Sequence, residues 1–160
     1  MLRVVNARLS ERALRWPRSV VARGDAVASI HKQLALAVPA EQVWDALRDV
    51  GALHTRLVPG FVVDTRLEEG ARVVTFGDGT VAKEWIIDVD DERRRVAWAI
   101  TDAPFAHYNA SAQVLDGEQP GHCRFVWIAD LLPHELKDGV ASMMDQGLAA
   151  IARVMKKGAA

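Results

Sequence analysis

Between Phe61 and Leu131 the chain is cut into six strand-like runs by turn signals, and this succession constrains its fold more than any other feature. The runs cover residues 61–67, 71–76, 81–89, 94–101, 106–115 and 122–131. Between them stand Glu69-Gly70, Gly77-Asp78-Gly79, Asp90-Asp91-Glu92, Asp102-Ala103-Pro104, and the stretch from Asp116-Gly117 to Pro120-Gly121. Each break is short enough for a hairpin, whereas a parallel crossover needs a dozen or more residues. The runs therefore form an antiparallel meander.

One more strand precedes them. Ile30, Lys32, Leu34, Leu36 and Val38 alternate with His31, Gln33, Ala35 and Ala37 until Pro39 ends the pattern. Pro39-Ala40-Glu41 then opens a helix whose Val43, Trp44, Leu47 and Val50 recur at three- and four-residue spacing, with Gly51 as its stop. A second short helical turn is expected over 52–57, closed by Pro59-Gly60. After the meander the helical period returns, and Leu136, Val140, Met143, Met144, Leu148, Ile151, Val154 and Met155 make a broad apolar stripe. These elements predict an α+β fold: seven antiparallel strands curled around a long C-terminal helix, with one or two short helices after the first strand.

Small residues on the facing elements bear on what lies between them. Gly139, Gly147, Ala141, Ala149 and Ala150 sit on the helix, and Ala106, Tyr108, Ala110, Ala112 and Val114 on one face of a strand. Such residues either leave a cavity or allow close helix-to-sheet packing, and periodicity leaves both readings open.

Half of the 160 residues are apolar and 26% are charged, which fits one domain with a substantial core. Cys123 stands alone, so neither an internal disulfide nor a cysteine-based metal cage can form, and the chain suits a reducing, cytoplasmic setting. The longest uncharged run, 103–115, is too short and too polar for a membrane span. Residues 1–26 hold six arginines against Glu11 and Asp25, a net plus 4 that leaves the remainder at minus 5 within the overall minus 1. A body of that sign argues against nucleic acid as a partner. The division expected is an Arg-rich N-terminal extension over 1–26 and a ligand-binding domain over 27–160. The extension lacks the apolar run of a secretory signal. It reads as a targeting or surface-binding segment, as a short helix over 10–15 docking on the body, or as a loosely held tail broken at Trp16-Pro17.

Several segments carry a family likeness. Val38-Pro39-Ala40-Glu41-Gln42-Val43-Trp44 is similar to the strand-to-helix entry, and Lys83-Glu84-Trp85-Ile86-Ile87-Asp88-Val89-Asp90-Asp91-Glu92-Arg93-Arg94-Arg95-Val96 to the central hairpin, of the START-like or helix-grip superfamily. Asp102-Ala103-Pro104, Tyr108-Asn109-Ala110, and Trp127 six residues before Pro133 add to this. Over about residues 27–157 the chain resembles this superfamily of polyketide cyclases/dehydrases, lipid-transfer proteins, birch-pollen-allergen-like proteins and abscisic acid receptors. The resemblance implies a helix-grip domain whose apolar pocket takes a small hydrophobic ligand, without implying one activity.

Glu84 matches, by its place in the hairpin, a carboxylate that faces the pocket in the similar abscisic acid receptors. Inside an apolar cavity such a carboxyl would have a raised pKa and serve as acid, base or ligand anchor, and Glu84→Leu would then hold or raise stability. If Lys83 and Trp85 face inward instead, alternation turns Glu84 to solvent. Tyr108 falls on the apolar face of its alternation and should point inward, its hydroxyl bonded to ligand, water or protein; the similar receptors also carry a tyrosine here. Trp98 and Trp127 are expected as wall, Val140, Met143, Met144, Gly147 and Ile151 as the helix side of the pocket, and His54 as a gate at its mouth. His54, His107, His122 and His134 show no paired ligand spacing, so no metal is expected, and no cofactor motif is present. Ser111 and Ser142 lack a nucleophile elbow, and Gly77-Asp78-Gly79-Thr80 reads as a turn rather than a phosphate loop.

Three functions are consistent with these readings: binding or transport of a hydrophobic ligand, a cyclase- or dehydratase-like enzyme with Glu84 and Tyr108 as acid–base pair, and a non-catalytic interaction scaffold. For the extension, a chain starting at Ala26 is expected to melt within a few degrees of the full chain by calorimetry; loss of cooperative unfolding would place residues 1–26 in the core.

Overall fold

The computed structural model describes residues 27–157; the extension over 1–26 lies outside them. Seven strands, β1 (Ala28–Leu36), β2 (Val62–Glu68), β3 (Ala71–Phe76), β4 (Val81–Asp90), β5 (Arg95–Ala99), β6 (His107–Asp116) and β7 (Cys123–Leu132), form one sheet. Its order is β1-β7-β6-β5-β4-β3-β2, antiparallel throughout, so the six hairpin-linked strands are sequential neighbours and β1 closes the row beside β7. Helix α1 (Ala40–Arg48) and a π-helical turn at Leu53–Leu57 fill the connection from β1 to β2, and helix α2 (Lys137–Lys157) ends the described chain. The α+β expectation holds in every element.

Local chemistry sets each boundary. Pro39 caps α1 with extended backbone, and Val43, Trp44 and Leu47 are buried beneath the helix. The Trp44 indole N–H donates to Asp91 Oδ1 at 3.1 Å, tying α1 to the β4–β5 turn. β5 is shorter than the expected 94–101: Arg94 takes a left-handed φ of 50° and belongs to that turn, and the strand ends at Ala99, before Ile100 and Thr101. β1 starts two residues earlier than its alternation suggested, where Ala28 pairs with Leu131.

The β3–β4 turn fixes which side chains of these two strands meet. Gly79 supplies the positive φ of 88°, and Asp78 Oδ1 accepts the Thr80 N–H at 2.8 Å. That geometry sets Thr75 opposite Val81 and, three pairs further on, Arg72 opposite Glu84. A bulge between Ile86 and Asp88 ends the simple alternation of β4 beyond this point.

The core lies between the concave face of the sheet and α2. Val140, Met144, Leu148, Ile151 and Met155 of the expected stripe are buried, with Met143 and Val154 half-buried beside them. Lys32 of β1 pairs with Asp145 of α2 at 2.9 Å, which places the helix over the β1 side of the sheet. Gly147 allows its close approach: a Cβ there would come within 2.7 Å of Trp127 Cζ3 and 3.2 Å of Phe61 Cε1. The expectation that Gly147 borders empty space is therefore corrected, since this glycine is a contact point. Gly139, by contrast, has nothing within 4 Å of such a Cβ. Gly147→Ala is expected to cost about 1–3 kcal/mol through overpacking, whereas Gly139→Ala should be neutral or gain up to about 1 kcal/mol from helix propensity. Urea denaturation of the two variants compares them directly, and equal effects would refute the packing account.

Candidate functional site

A cavity of about 650 Å³ opens between the sheet, α2 and the segment from Leu53 to Val62. Strands β3 to β7 all contribute to its lining, through Val74, Ala82, Trp98, Ala112 and Phe125 among others, and Val140, Met143 and Ile151 close it from the helix. The lining residues that are also exposed, Gly60, Gly77, Asp78, Thr80, Gly139 and Gln146, mark its open end beside the β3–β4 turn. Arg72 lies four residues of strand, roughly 13 Å, from the end of β3 at that turn.

The polar feature at depth is an ion pair. Arg72 Nε donates to Glu84 Oε2 at 2.6 Å, with side-chain exposures of 3% and 9%. Glu84 faces inward, and Trp85 is turned outward with Lys83, whose ammonium sits 4.6 Å over the Trp85 ring. Arg72 is the residue that reading the sequence missed, and it changes what Glu84 can be. The carboxyl is one half of a buried pair, not a lone acid in apolar surroundings. The Arg72 guanidinium also lies 5.2 Å from the Trp98 ring centroid, within cation–π range.

Tyr108 lines the cavity and is 3% exposed. Burial drives its pKa well above that of an ordinary phenol, the charge of Glu84 adds to the rise, and Arg72 opposes it. The phenol keeps its proton at neutral pH, which leaves its hydroxyl able to donate a hydrogen bond. Its ring packs on Phe105, with centroids 4.8 Å apart. Trp98 and Trp127 form adjoining wall, their ring centroids 6.1 Å apart.

Of the residues singled out from sequence, Glu84, Tyr108, Trp98, Trp127, Val140, Met143 and Ile151 come together around the cavity. Three do not line it. Met144 is fully buried within the packed core, Gly147 lies against Trp127, and His54 sits in the π-helical turn whose Leu53 and Leu57 face the cavity instead. Among the described residues no cluster of His, Cys, Asp or Glu could hold a metal.

The ion pair reverses one expectation. Removing either partner leaves the other charge buried and alone, so Arg72→Met and Glu84→Leu should each cost about 3–5 kcal/mol. The double variant Arg72→Leu/Glu84→Leu should recover most of that loss, which equilibrium denaturation will show as strong non-additivity. Additive single-site costs would mean that the pair is not coupled.

A family model described as polyketide cyclase / dehydrase and lipid transport matches residues 27–156. No curated protein matches the sequence. An uncharacterised protein from Bacillus thuringiensis has the same fold, with a TM-score of 0.73 at 20% identity over 80% of this chain and 98% of its own. A START superfamily protein from Mycobacterium smegmatis gives 0.65 at 12% identity, covering 81% and 97%. Norcoclaurine synthase from Thalictrum flavum gives 0.62 at 23% identity, covering 82% and 86%. At these identities the likeness to solved structures is one of fold. The family match, however, runs through all seven strands and nearly all of α2, and this chain therefore belongs to the polyketide cyclase/dehydrase and lipid transport family.

Proposed function

We propose that this protein binds and carries a small hydrophobic molecule in the cavity between sheet and helix. The single observation that carries this reading is the cavity itself: about 650 Å³, open at one end and lined chiefly by apolar and aromatic side chains around a few polar groups. Pockets for small organic ligands have this size and composition. Burying apolar surface there supplies roughly 25 cal/mol per Å² removed from water, so a ligand needs few directed contacts to be held.

Two observations favour carriage over the cyclase-like alternative. Glu84 gives a carboxylate oxygen to Arg72, and the raised pKa of Tyr108 keeps its proton on. An acid–base pair needs one member free to take a proton at working pH. The norcoclaurine synthase that shares the fold does not alter this, since one fold hosts many activities.

Native mass spectrometry of protein purified without denaturant is expected to show a co-purified small molecule released unchanged in mass on unfolding. A fluorescent apolar probe should bind the emptied protein, and Ala112→Leu, which adds bulk to the cavity wall, should weaken that binding about tenfold or more. Probe binding indifferent to Ala112→Leu would overturn the cavity as the site. Chemical conversion of the bound molecule by the parent protein would favour the enzyme reading instead.

A further inference from the structure

The sheet ends at β2, which has a strand neighbour on one side only among the described residues. An edge strand presents a row of backbone N–H and C=O groups that can pair with another strand. The turn at Glu69-Gly70 decides which groups these are. It has two residues, so the flanking pair Glu68 and Ala71 exchange both backbone hydrogen bonds, and bonded and non-bonded pairs alternate from there. Arg66 and Asp64 therefore turn their backbone groups toward β3, while Leu67 and Thr65 turn theirs to the free edge.

The side chains along this edge match themselves in reverse. A second copy of β2, run antiparallel about a two-fold axis at Thr65, sets Thr65 on Thr65, Asp64 on Arg66 and Val63 on Leu67. Asp64 and Arg66 lie on one face of the sheet, across from Thr75 and Val73 of β3, and both are exposed. Glu68 approaches the Arg66 guanidinium no closer than 3.7 Å. With Thr65 as the bonded pair on the axis, the two Asp64–Arg66 contacts beside it are non-bonded pairs, the kind in which facing side chains come closest. Val63 and Leu67, 53% and 60% exposed, would each meet the other's apolar surface. The opposite edge lacks this match: β1 packs against α2, and the same operation about its midpoint sets Lys32 on Lys32.

We propose that two copies of this chain pair through β2, antiparallel about a two-fold axis at Thr65, joining their sheets edge to edge. One strand from each chain makes a small contact, at or below about 1,200 Å² in total, so the dimer is reversible and concentration-dependent. Pairing at this edge does not depend on what the cavity holds.

Sedimentation equilibrium of the full chain, loaded from about 10 µM to about 1 mM, is expected to show monomer and dimer exchanging. Asp64→Arg and Arg66→Asp each set like charges opposite one another on both sides of the axis, and each should weaken self-association about tenfold or more. Mixed in equal amounts, the two variants should dimerise with each other about as tightly as the parent does with itself, because every Arg then faces an Asp. The double variant Asp64→Arg/Arg66→Asp should recover the parent's affinity for the same reason. Recovery in the mixture also shows that both single variants are folded. A full chain that stays monomeric up to about 1 mM would overturn the pairing. So would a dimer that neither single variant weakens, or a loss that mixing does not restore, since either result puts the contact elsewhere on the chain.

Discussion

A seven-stranded sheet presents more inner surface than one helix can cover. At about 4.8 Å per strand the sheet is roughly 30 Å across before it curls, whereas a helix with its side chains is about 10–12 Å wide. α2 must therefore leave part of the concave face uncovered, and where it sits decides which part. The contact of Gly147 with Trp127, together with the pair Lys32–Asp145, holds it toward β1 and β7. The cavity opens away from β1, over strands β3 to β7, roofed by the Leu53–Val62 segment. A glycine at one helix position thus lets the helix close down on β7, while β3 to β5 keep facing the cavity.

Polarity within that void is arranged by strand pairing. Arg72 and Glu84 are direct cross-strand partners, so neither charge faces the cavity alone. A buried pair of this kind is a weak source of stability, because desolvation takes back much of the Coulomb attraction. Its consequence is chemical: it places a planar donor group deep in an apolar chamber without leaving net charge there. The raised pKa of Tyr108 points the same way, since a phenol that keeps its proton can donate a hydrogen bond.

Family membership and function separate here. The family match and the shared folds account for the sheet and the helix that flank the cavity. They do not say what enters it, because the superposed proteins are under 25% identical to this one. The functional reading depends instead on the cavity and on how its polar groups are closed off, by an ion pair that satisfies itself and a phenol that keeps its proton.

The sequence by itself determined the order, type and antiparallel pairing of the elements, because period-2 and period-3.6 patterning and turn residues act locally. Tyr108, Trp98 and Trp127 were legible as inward groups for the same reason. Arg72 was legible in principle: it alternates with Val74 and Phe76, and counting back through the Gly77-Asp78-Gly79 turn sets it opposite Glu84. An arginine on an apolar face reads as an interruption until its partner is placed. What tertiary structure alone decided was the offset of α2. Gly139 and Gly147 are the same residue type on the same helix, yet one borders open space and the other touches an indole ring. Helical periodicity gives a residue its angle around the axis, but the distance to the opposing sheet is set by every contact along the helix at once.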